Sequence, residues 1–288
     1  MPPKQATTVA EKLRLMSGKL TAAEGKLMAA LFANYPVAGL GSITDFARAA
    51  QVSTPSVLRL AKKLGFAGFP ALQEALRAEL SARLQNPIAK HERWAAEAPD
   101  THILNRFASA AMENLSGSLR LMDHRSFDAV VALIGDQRRR IHVAGGRITG
   151  ALAAYLVTHL QMARPGVSLV PATQSLWPQY LLDIGRNDLV LLFDIRRYDA
   201  GLFDLAASAT ERGAKVVLIT DQWISPIARL AVQSLPLRIE APSSWDSNIV
   251  PLFMAEALVA ATVNACWREA ADRIAALETL ADAGRRGR

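Results

Sequence analysis

Two short helical segments joined by a tight turn, between Gly41 and Phe69, constrain the fold of this chain more than any other stretch. In the first segment, apolar residues recur at i, i+3, i+4 and i+7 from Ile43 to Ala50, which places them on one face of a helix. In the second segment, the same spacing begins at Val57. The pattern therefore predicts a pair of amphipathic helices that share one buried side.

The ends of both segments carry residues that are typical of helix boundaries. Ser42 occupies the N-cap position of the first helix, and Asp45 follows at the acidic position of a capping box. Ser53 can cap the second helix, and Pro55 lies in its first turn, where a missing N–H costs little. Gly65 occupies the C′ position. These residues set the predicted ends of the two helices.

The second helix is expected to expose small hydroxyl groups in its first turn and cations in its last turns. A recognition helix has this distribution, because its first residues reach base edges in the major groove and its cations meet phosphates. The predicted DNA-binding residues are Thr54, Ser56, Arg59, Lys62 and Lys63. The alternative from the pattern alone is a helical hairpin with a solvated basic face.

The distribution of charge favours the DNA-binding interpretation. The formal net charge is +7, and residues 1–86 carry 11 Lys and Arg against 5 Asp and Glu. Residues 87–284 carry 19 against 21, so the basic excess lies on the segment with the two helices and on a basic tail, 285–288. Localised positive charge supplies salt-dependent affinity for nucleic acid. Because the N-terminus has no apolar stretch, we expect no signal peptide and a cytoplasmic location.

The patterning divides the chain into two predicted domains. Residues 1–86 read as an all-α helix-turn-helix domain of about five helices, and residues 87–100 read as a linker. From residue 101 to 284, short apolar runs alternate with helical patterns, which predicts a parallel sheet covered on both faces. The predicted strands are Ile141–Ala144, Val167–Val170, Asp188–Phe193, Lys215–Thr220 and Leu235–Ile239. The predicted fold class is an all-α domain followed by an α/β sandwich with a five-stranded, mainly parallel sheet.

Open parallel sheets bind ligands beyond the carboxyl ends of their strands. A turn before a helix offers free N–H groups to an anion, Thr149 can add a hydroxyl, and adjacent arginines can hold a phosphate or a carboxylate. The candidate ligand-binding residues are Gly145, Arg147, Thr149, Asp194, Arg196, Arg197 and Tyr198. The alternative is that the two adjacent arginines form surface ion pairs with Asp194 or Asp199.

Catalytic and metal chemistry have little support in the sequence. The five histidines are scattered, and no nucleophile elbow, metal-ligand spacing or paired-carboxylate pattern stands out. The single cysteine, Cys266, lies in an apolar helical run and has no spaced partner for a disulfide or a zinc site. We therefore expect no catalytic residues, no metal and no cofactor.

The chain resembles the RpiR/MurR family of bacterial transcriptional regulators. The first part of the resemblance runs through segments 20–24, 42–47 and 52–66, which read LTAAE, SITDFA and VSTPSVLRLAKKLGF. The second part, to the sugar isomerase (SIS) domain of this family, is carried by segments 213–221 and 225–228. The resemblance implies a DNA-binding regulator whose SIS domain senses a small metabolite, commonly a phosphosugar, and mediates oligomerisation.

This sequence departs from the family pattern at both phosphate loops. The first loop, usually G-x-G-x-S-G, reads GGRITG over residues 145–150, and the second, usually S-x-S-G-x-T, reads DIRRYD over residues 194–199. Long cations and carboxylates replace small hydroxyl donors. We therefore expect a divergent site that takes a phosphosugar or another anionic metabolite, with internal ion pairs as the alternative.

The sequence analysis as a whole predicts a DNA-binding regulator that is not an enzyme. Its expected partners are double-stranded operator DNA and a small anionic effector, and we expect a homodimer or a homotetramer and no membrane association. The alternative is a phosphosugar isomerase or lyase of the SIS type with an accessory helical domain.

Overall fold

The structure, a computed structural model, describes residues 7–96 and 102–286. Contacts between residues divide the chain into two compact units. The first, the helical unit, consists of Met1–Leu121, Asp221–Arg229 and Pro236–Val250. The second, the sheet unit, consists of Met122–Thr220, Leu230–Leu235 and Pro251–Arg288. Two segments that follow strands of the sheet thus belong to the helical unit.

Seven helices form most of the helical unit within the described residues. They are α1 (Val9–Leu15), α2 (Ala22–Ala33), α3 (Ile43–Ala49), α4 (Thr54–Lys63), α5 (Phe69–Leu84), α6 (Pro87–Ala96) and α7 (Ile103–Leu121). The first five confirm the predicted all-α N-terminal region. Helix α6 lies in the predicted linker, residues 97–101 are outside the described part of the chain, and the predicted boundaries around residues 87 and 100 remain predictions.

Helices α3 and α4 begin and end at the predicted residues, with one exception in the capping contacts. The Ser42 hydroxyl accepts a hydrogen bond from the Asp45 amide at 3.1 Å, as an N-cap should. Gly65 ends α4 with φ of 85°. Ser53 occupies the N-cap of α4 but makes no side-chain cap hydrogen bond. In the turn between the helices, Gln51 has φ of 53°, a conformation that glycine adopts more easily.

The core of the helical unit includes a residue that follows the fourth strand of the sheet. Leu27, Leu31, Phe46 and Leu60 lie in one buried cluster, and Ile224 of the segment Asp221–Arg229 lies in the same cluster with 3% of its surface exposed. The φ of Ile224 is 60°. A left-handed conformation is unusual for a β-branched residue and persists only where its surroundings enforce it. Packing of this side chain in the core supplies that constraint.

A buried ion pair joins α1 to the segment Pro236–Val250. Arg238 donates from Nε and Nη2 to the two carboxylate oxygens of Glu11, each at 2.7 Å. Glu11 also accepts from the Thr8 amide at 2.8 Å and completes a capping box. A Cβ on Gly117 of α7 would lie 2.8 Å from Cδ of Arg238. The absence of a side chain at Gly117 therefore makes room for this arginine.

Two further polar contacts hold the same segment within the helical unit. Lys90 of α6 is 2% exposed, and its Nζ lies 2.6 Å from Oδ1 of Asp246. Asn114 of α7 donates from Nδ2 to the Glu240 carbonyl at 2.7 Å. The segment that follows the last strand is thus bound to helices α1, α6 and α7 through two ion pairs and the Asn114 hydrogen bond.

The sheet has five strands in the order β2-β1-β3-β4-β5. Its strands are β1 (Ile141–Gly145), β2 (Val167–Leu169), β3 (Leu189–Asp194), β4 (Lys215–Asp221) and β5 (Gln233–Leu237). The pairs β1–β2, β1–β3 and β3–β4 are parallel. All residues of β3 are buried, as expected for a central strand covered on both faces. These features confirm the predicted α/β fold class.

All five strands differ from the predicted bounds by one or two residues at an end, and local hydrogen bonds explain the shifts at β3 and β5. Asp188 precedes β3 because its carboxylate accepts hydrogen bonds from the Gly185 amide and the Arg140 side chain in the turn before the strand. Strand β5 begins two residues earlier and ends two residues earlier than predicted. The Ile239 amide, inside the predicted strand, donates to the Gln222 side chain.

Helices cover the sheet within the sheet unit. They are α8 (His124–Gly135), α9 (Gly150–Ala163), α10 (Trp177–Asp183), α11 (Ala200–Glu211), α12 (Ile249–Ala265) and α13 (Trp267–Arg286). The C-terminal helical region is broken at Cys266, where α12 and α13 meet at 105°. No single helix in the described ranges is both long and apolar enough to cross a membrane, although the bent α12–α13 pair reaches that length and composition when counted together.

The Glu11–Arg238 ion pair gives a testable prediction about stability. We expect Arg238→Met to destabilise the helical unit by about 3–5 kcal/mol, because it leaves a buried carboxylate without its hydrogen-bonded cation. The double variant Glu11→Gln/Arg238→Met should recover most of this loss, since glutamine keeps the capping bond and carries no charge. Urea unfolding followed by circular dichroism measures both. Equal losses in the two variants would contradict this account.

A buried carboxylate in the helical unit predicts a pH dependence. Glu79 accepts hydrogen bonds from the Val9 amide at 2.7 Å and from the Tyr35 hydroxyl. Burial raises the pKa of Glu79 from 4.5 to about 7. The folded state therefore holds this proton more tightly than the unfolded state, and stability is lost as the pH rises from 4.5 through 7.

We expect Glu79→Gln to remove this pH dependence, because the amide preserves the shape of the side chain and does not ionise. The stability of the variant relative to the parent should rise by about 2–3 kcal/mol between pH 5 and pH 8. Thermal unfolding of both proteins across this range is the measurement. A difference in stability that does not change with pH would show that Glu79 titrates normally.

Candidate nucleic-acid interface and ligand loops

Helix α4 presents a narrow exposed face. Its exposed residues are Pro55, Leu58, Arg59 and Lys62, which follow the spacing i, i+3, i+4 and i+7. Val57, Leu60 and Ala61 lie on the opposite side and are buried in the helical core. The exposed face carries two cations and no carboxylate, a combination suited to a polyanion such as the DNA backbone. Leu58 was not among the predicted contacts.

The prediction that Ser56 is exposed is wrong. Ser56 has only 5% of its surface exposed, and its hydroxyl lies 3.1 Å from the Ser53 hydroxyl. It also accepts a hydrogen bond from Nη2 of Arg59 at 2.8 Å. The physical reason is its position next to Val57 and four residues before Leu60, which places Ser56 on the buried side of α4. Ser56 is thus placed to hold the Arg59 side chain in one orientation.

Lys63 is also less available than predicted. Its Nζ donates to the Lys19 carbonyl and to the Glu24 carboxylate, both at 2.7 Å, and its side chain is 29% exposed. Glu24 forms the capping box of α2 together with Thr21. Lys63 therefore ties the end of α4 to the start of α2. Thr54, the first residue of α4, is half-buried.

The first ligand loop, residues 145–150 after β1, is held together by its own hydrogen bonds and close backbone contacts. The Thr149 hydroxyl donates to the Phe193 carbonyl at 2.8 Å and accepts from the Gly146 amide at 2.8 Å. Thr149 is 7% exposed, so the expectation that its hydroxyl serves an anion is not supported. A Cβ on Gly145 would lie 2.5 Å from the Thr149 carbonyl oxygen. Gly145 is therefore required by the close approach of the backbone.

In the second ligand loop, residues 194–199 after β3, carboxylate side chains lie where a bound anion would be expected. Asp199 is the N-cap of α11, and its carboxylate accepts from the Gly201 amide at 2.8 Å. Gln174 donates to the same carboxylate at 3.0 Å. The buried Asp194 accepts from the Asp199 amide at 3.2 Å. The amides of Asp199 and Gly201, which a phosphate could use at this helix N-terminus, are thus bonded to protein oxygens.

The cations of the two ligand loops differ in exposure. Arg147 and Arg197 are exposed, and neither guanidinium forms an ion pair with another described residue. Arg196 and Tyr198 are half-buried, and Arg196 has φ of 67°. Strands β1 and β3 are parallel neighbours with Gly145 opposite Phe193, so both loops leave the same edge of the sheet. This edge offers two accessible guanidinium groups for an anion.

Other candidate sites in the sheet unit lie away from these loops. A cavity of about 360 Å³ has none of the predicted ligand residues in its lining, and its lining residues are Thr158, Gln161, Met162, Arg164, Gly166, Val167, Arg273 and Leu277. His142 in β1 contacts the Ser168 hydroxyl at 3.0 Å, and burial lowers its pKa. Over residues 7–96 and 102–286, no group of three His, Cys, Asp or Glu side chains could hold a metal ion.

Comparison with known families matches two models to this chain. Residues 7–83 match the helix-turn-helix domain of the rpiR family, and residues 134–261 match the SIS domain. Together the two models cover more than two thirds of the chain. The exposed face of α4 and both ligand loops lie within the matched ranges.

Two curated proteins are similar over most of this chain. The HTH-type transcriptional regulator HexR of Pseudomonas aeruginosa is 26% identical over 258 residues, which are 86% of each chain. The bifunctional protein glk of Paraburkholderia xenovorans is 27% identical over 288 residues, which are 96% of this chain and 43% of that protein. This chain thus corresponds to less than half of the glk protein.

Two solved structures share the fold. The sugar isomerase domain of an RpiR transcription factor from Sphaerobacter thermophilus has a TM-score of 0.59 at 20% identity and covers 62% of this chain and 99% of its own. The NanR protein of Vibrio vulnificus, solved with ManNAc-6P, has a TM-score of 0.56 at 19% identity and covers 94% of this chain and 97% of its own. The second structure extends the fold similarity over nearly the whole chain.

The two adjacent glycines of the first ligand loop give a matched test. We expect Gly145→Ala to destabilise the sheet unit by about 1–3 kcal/mol, because the new methyl group would meet backbone atoms. Gly146→Ala should change stability little, since its Cβ would meet only side-chain atoms, the nearest being the Thr149 hydroxyl at 3.6 Å. Thermal unfolding of the two variants is the comparison. Similar melting temperatures would refute the packing role of Gly145.

Proposed function

We propose, starting from the membership of this chain in the RpiR family of transcriptional regulators, that its SIS domain senses a small anionic metabolite and thereby controls binding to operator DNA. The observation that carries the DNA-binding part is the exposed face of α4, with Arg59 and Lys62 as its cations. Because Ser56 holds Arg59 in place, that guanidinium is oriented before DNA arrives. An oriented arginine loses less entropy when it binds a base edge or a phosphate.

The proposed effector is a phosphosugar or another acid that Arg147 and Arg197 bind. The NanR protein was solved in complex with ManNAc-6P, a phosphorylated sugar, and this supports the same class of effector here. In this chain, Asp199 and Asp194 already accept the loop amides of the second ligand loop. The proposed effector is therefore bound by guanidinium side chains more than by a backbone cradle.

The proposed link between effector and DNA runs through the segment after β4. Asp194 of β3 is paired in register with Thr220 of β4, and the Thr220 hydroxyl donates to the Asp194 carbonyl at 2.8 Å. Four residues beyond Thr220, Ile224 lies in the core of the helical unit. A change at the carboxyl end of β4 therefore continues along the chain into the packing of the DNA-binding helices. Such a link acts by shifting populations of pre-existing conformations.

The proposed assembly is a homodimer or a homotetramer, because paired recognition helices match paired half-sites on DNA. The proposed location is the cytoplasm.

We propose that the chain is not an enzyme. The hydroxyl of Thr149 and the carboxylates of Asp194 and Asp199 all make bonds that hold the loops together. The alternative, a SIS-type isomerase or lyase, would need groups at this edge that are available to a substrate.

The two lysines at the end of α4 distinguish DNA contact from internal support. We expect Arg59→Ala to weaken operator binding by about 1–3 kcal/mol. Lys62→Ala should reduce the slope of log affinity against log salt concentration by about one. Lys63→Ala should instead lower the melting temperature, because its partner Glu24 is 9% exposed. Mobility-shift titrations at several salt concentrations, with thermal unfolding, test all three. Equal effects of both lysines on the salt slope would contradict the assignment.

The effector proposal is tested with a thermal-shift screen of sugar phosphates and small carboxylic acids. We expect at least one compound to raise the melting temperature of the parent, and this shift should disappear in Arg147→Ala and Arg197→Ala. Arg138→Ala is a suitable control, because Arg138 is a surface arginine that pairs with Asp136. A hit whose effect survives in both loop variants would place the effector elsewhere. Turnover of the compound without DNA binding would favour the enzyme.

A further inference from the structure

Leu58 is an exposed aliphatic side chain on the face of α4 that carries Arg59 and Lys62. It has 41% of its surface exposed, between Pro55 on one side and Arg59 and Lys62 on the other. The core side of the helix is filled by other residues, so Leu58 contributes no buried packing there. Single exposed leucines are ordinary on protein surfaces, but this one lies in the middle of the face that is proposed to meet DNA.

The surroundings of Leu58 make its position well defined. Helix α4 is fixed on its opposite side by Val57 and Leu60, which are at most 1% exposed. The neighbouring Arg59 is held by the Ser56 hydroxyl. Two adjacent positions of the recognition helix therefore present different chemistry at a fixed spacing, one apolar group and one guanidinium. Such a pair is suited to reading two neighbouring bases.

We infer that Leu58 is a specificity-determining residue that contacts the C5-methyl group of a thymine in the major groove. The thymine methyl is the one apolar group that distinguishes a base in this groove, and aliphatic side chains contact it. Because Arg59 adjoins Leu58 on the helix, this thymine lies within one base pair of the position that Arg59 contacts. The inference rests on the proposed DNA-binding function and adds the base class that this side chain reads.

Replacement of thymine by deoxyuridine in the operator tests this contact, because it removes only the methyl group. The full-length protein first selects an operator from random duplexes, and each thymine is then replaced singly. We expect one thymine per half-site at which the replacement weakens binding of the parent about threefold to tenfold, as expected for one buried methyl group. At that position, Leu58→Ala should bind thymine and deoxyuridine equally well.

Lys62→Ala serves as the matched control from the same face of α4. It should weaken binding to all sequences and keep the full sensitivity to deoxyuridine, since it removes a charge and leaves Leu58 in place. Leu58→Ala should keep the melting temperature of the parent, because the side chain is exposed. These two results separate loss of a base contact from loss of charge or of folding.

The outcomes distinguish this inference from the function on which it rests. If the parent selects an operator but no position shows a deoxyuridine effect that depends on residue 58, the inference is overturned and DNA binding stands. If Leu58→Ala reduces affinity equally at all sequences, Leu58 acts without base specificity and the inference is also overturned. If the parent selects no duplex at all, both the inference and the proposed function fail.

Discussion

The buried bidentate ion pair between Glu11 and Arg238 is the interaction on which the organisation of the helical unit depends. Both side chains are almost inaccessible to water, so removal of their hydration is costly and only a complete set of hydrogen bonds offsets it. The carboxylate accepts two bonds from Arg238 and one from the Thr8 amide, and Gly117 leaves room for the arginine. The pair fixes helix α1 against a segment that follows the last strand of the sheet.

The placement of α1 supports helix α4 in turn. Lys12 of α1 donates to the Leu64 carbonyl at the end of α4 and lies 4.2 Å from the ring of Phe66. Two buried residues of α1, Val9 and Leu13, belong to the core that also includes Ile224. Helix α4 is thus held by a core to which distant parts of the chain contribute.

Local chemistry explains which parts of the fold were predictable from the sequence. The caps and periodicity around Ser42 and Gly65 depend on neighbours in sequence, and the boundaries of α3 and α4 were predicted correctly. Strands of apolar residues between helical patterns predicted the sheet. The ion pair of Glu11 with Arg238 joins residues 227 positions apart, and no local pattern indicates such a partner. Helix α10 was missed because its seven residues, Trp177–Asp183, are too few for a clear period.

The candidate sites show even more clearly that local sequence patterns do not reveal tertiary partners. Arg59 and Lys62 were predicted to be exposed from the helical pattern, and they are. Ser56 and Lys63 were assigned to the same face, although their hydrogen bonds with Ser53 and Glu24 turn them inward. The spacing i, i+3, i+4 and i+7 from Pro55 places Leu58 on the exposed face instead. Small polar side chains and long flexible cations lie at the edges of a helix face, where tertiary partners decide their exposure.

Native-state hydrogen exchange on the full-length protein tests the central claim, that segments after the strands are part of the helical unit. The amides of Trp223 and Ile224, which donate to Asp221, report on the segment after β4. The account predicts that their slow exchange shares one opening free energy with the amides of α1 and α4, and that this free energy falls together in all three when Arg238 is replaced. The account would be contradicted if the amides of Trp223 and Ile224 exchanged with the opening free energy of the sheet strands and did not respond to the change that affects α1.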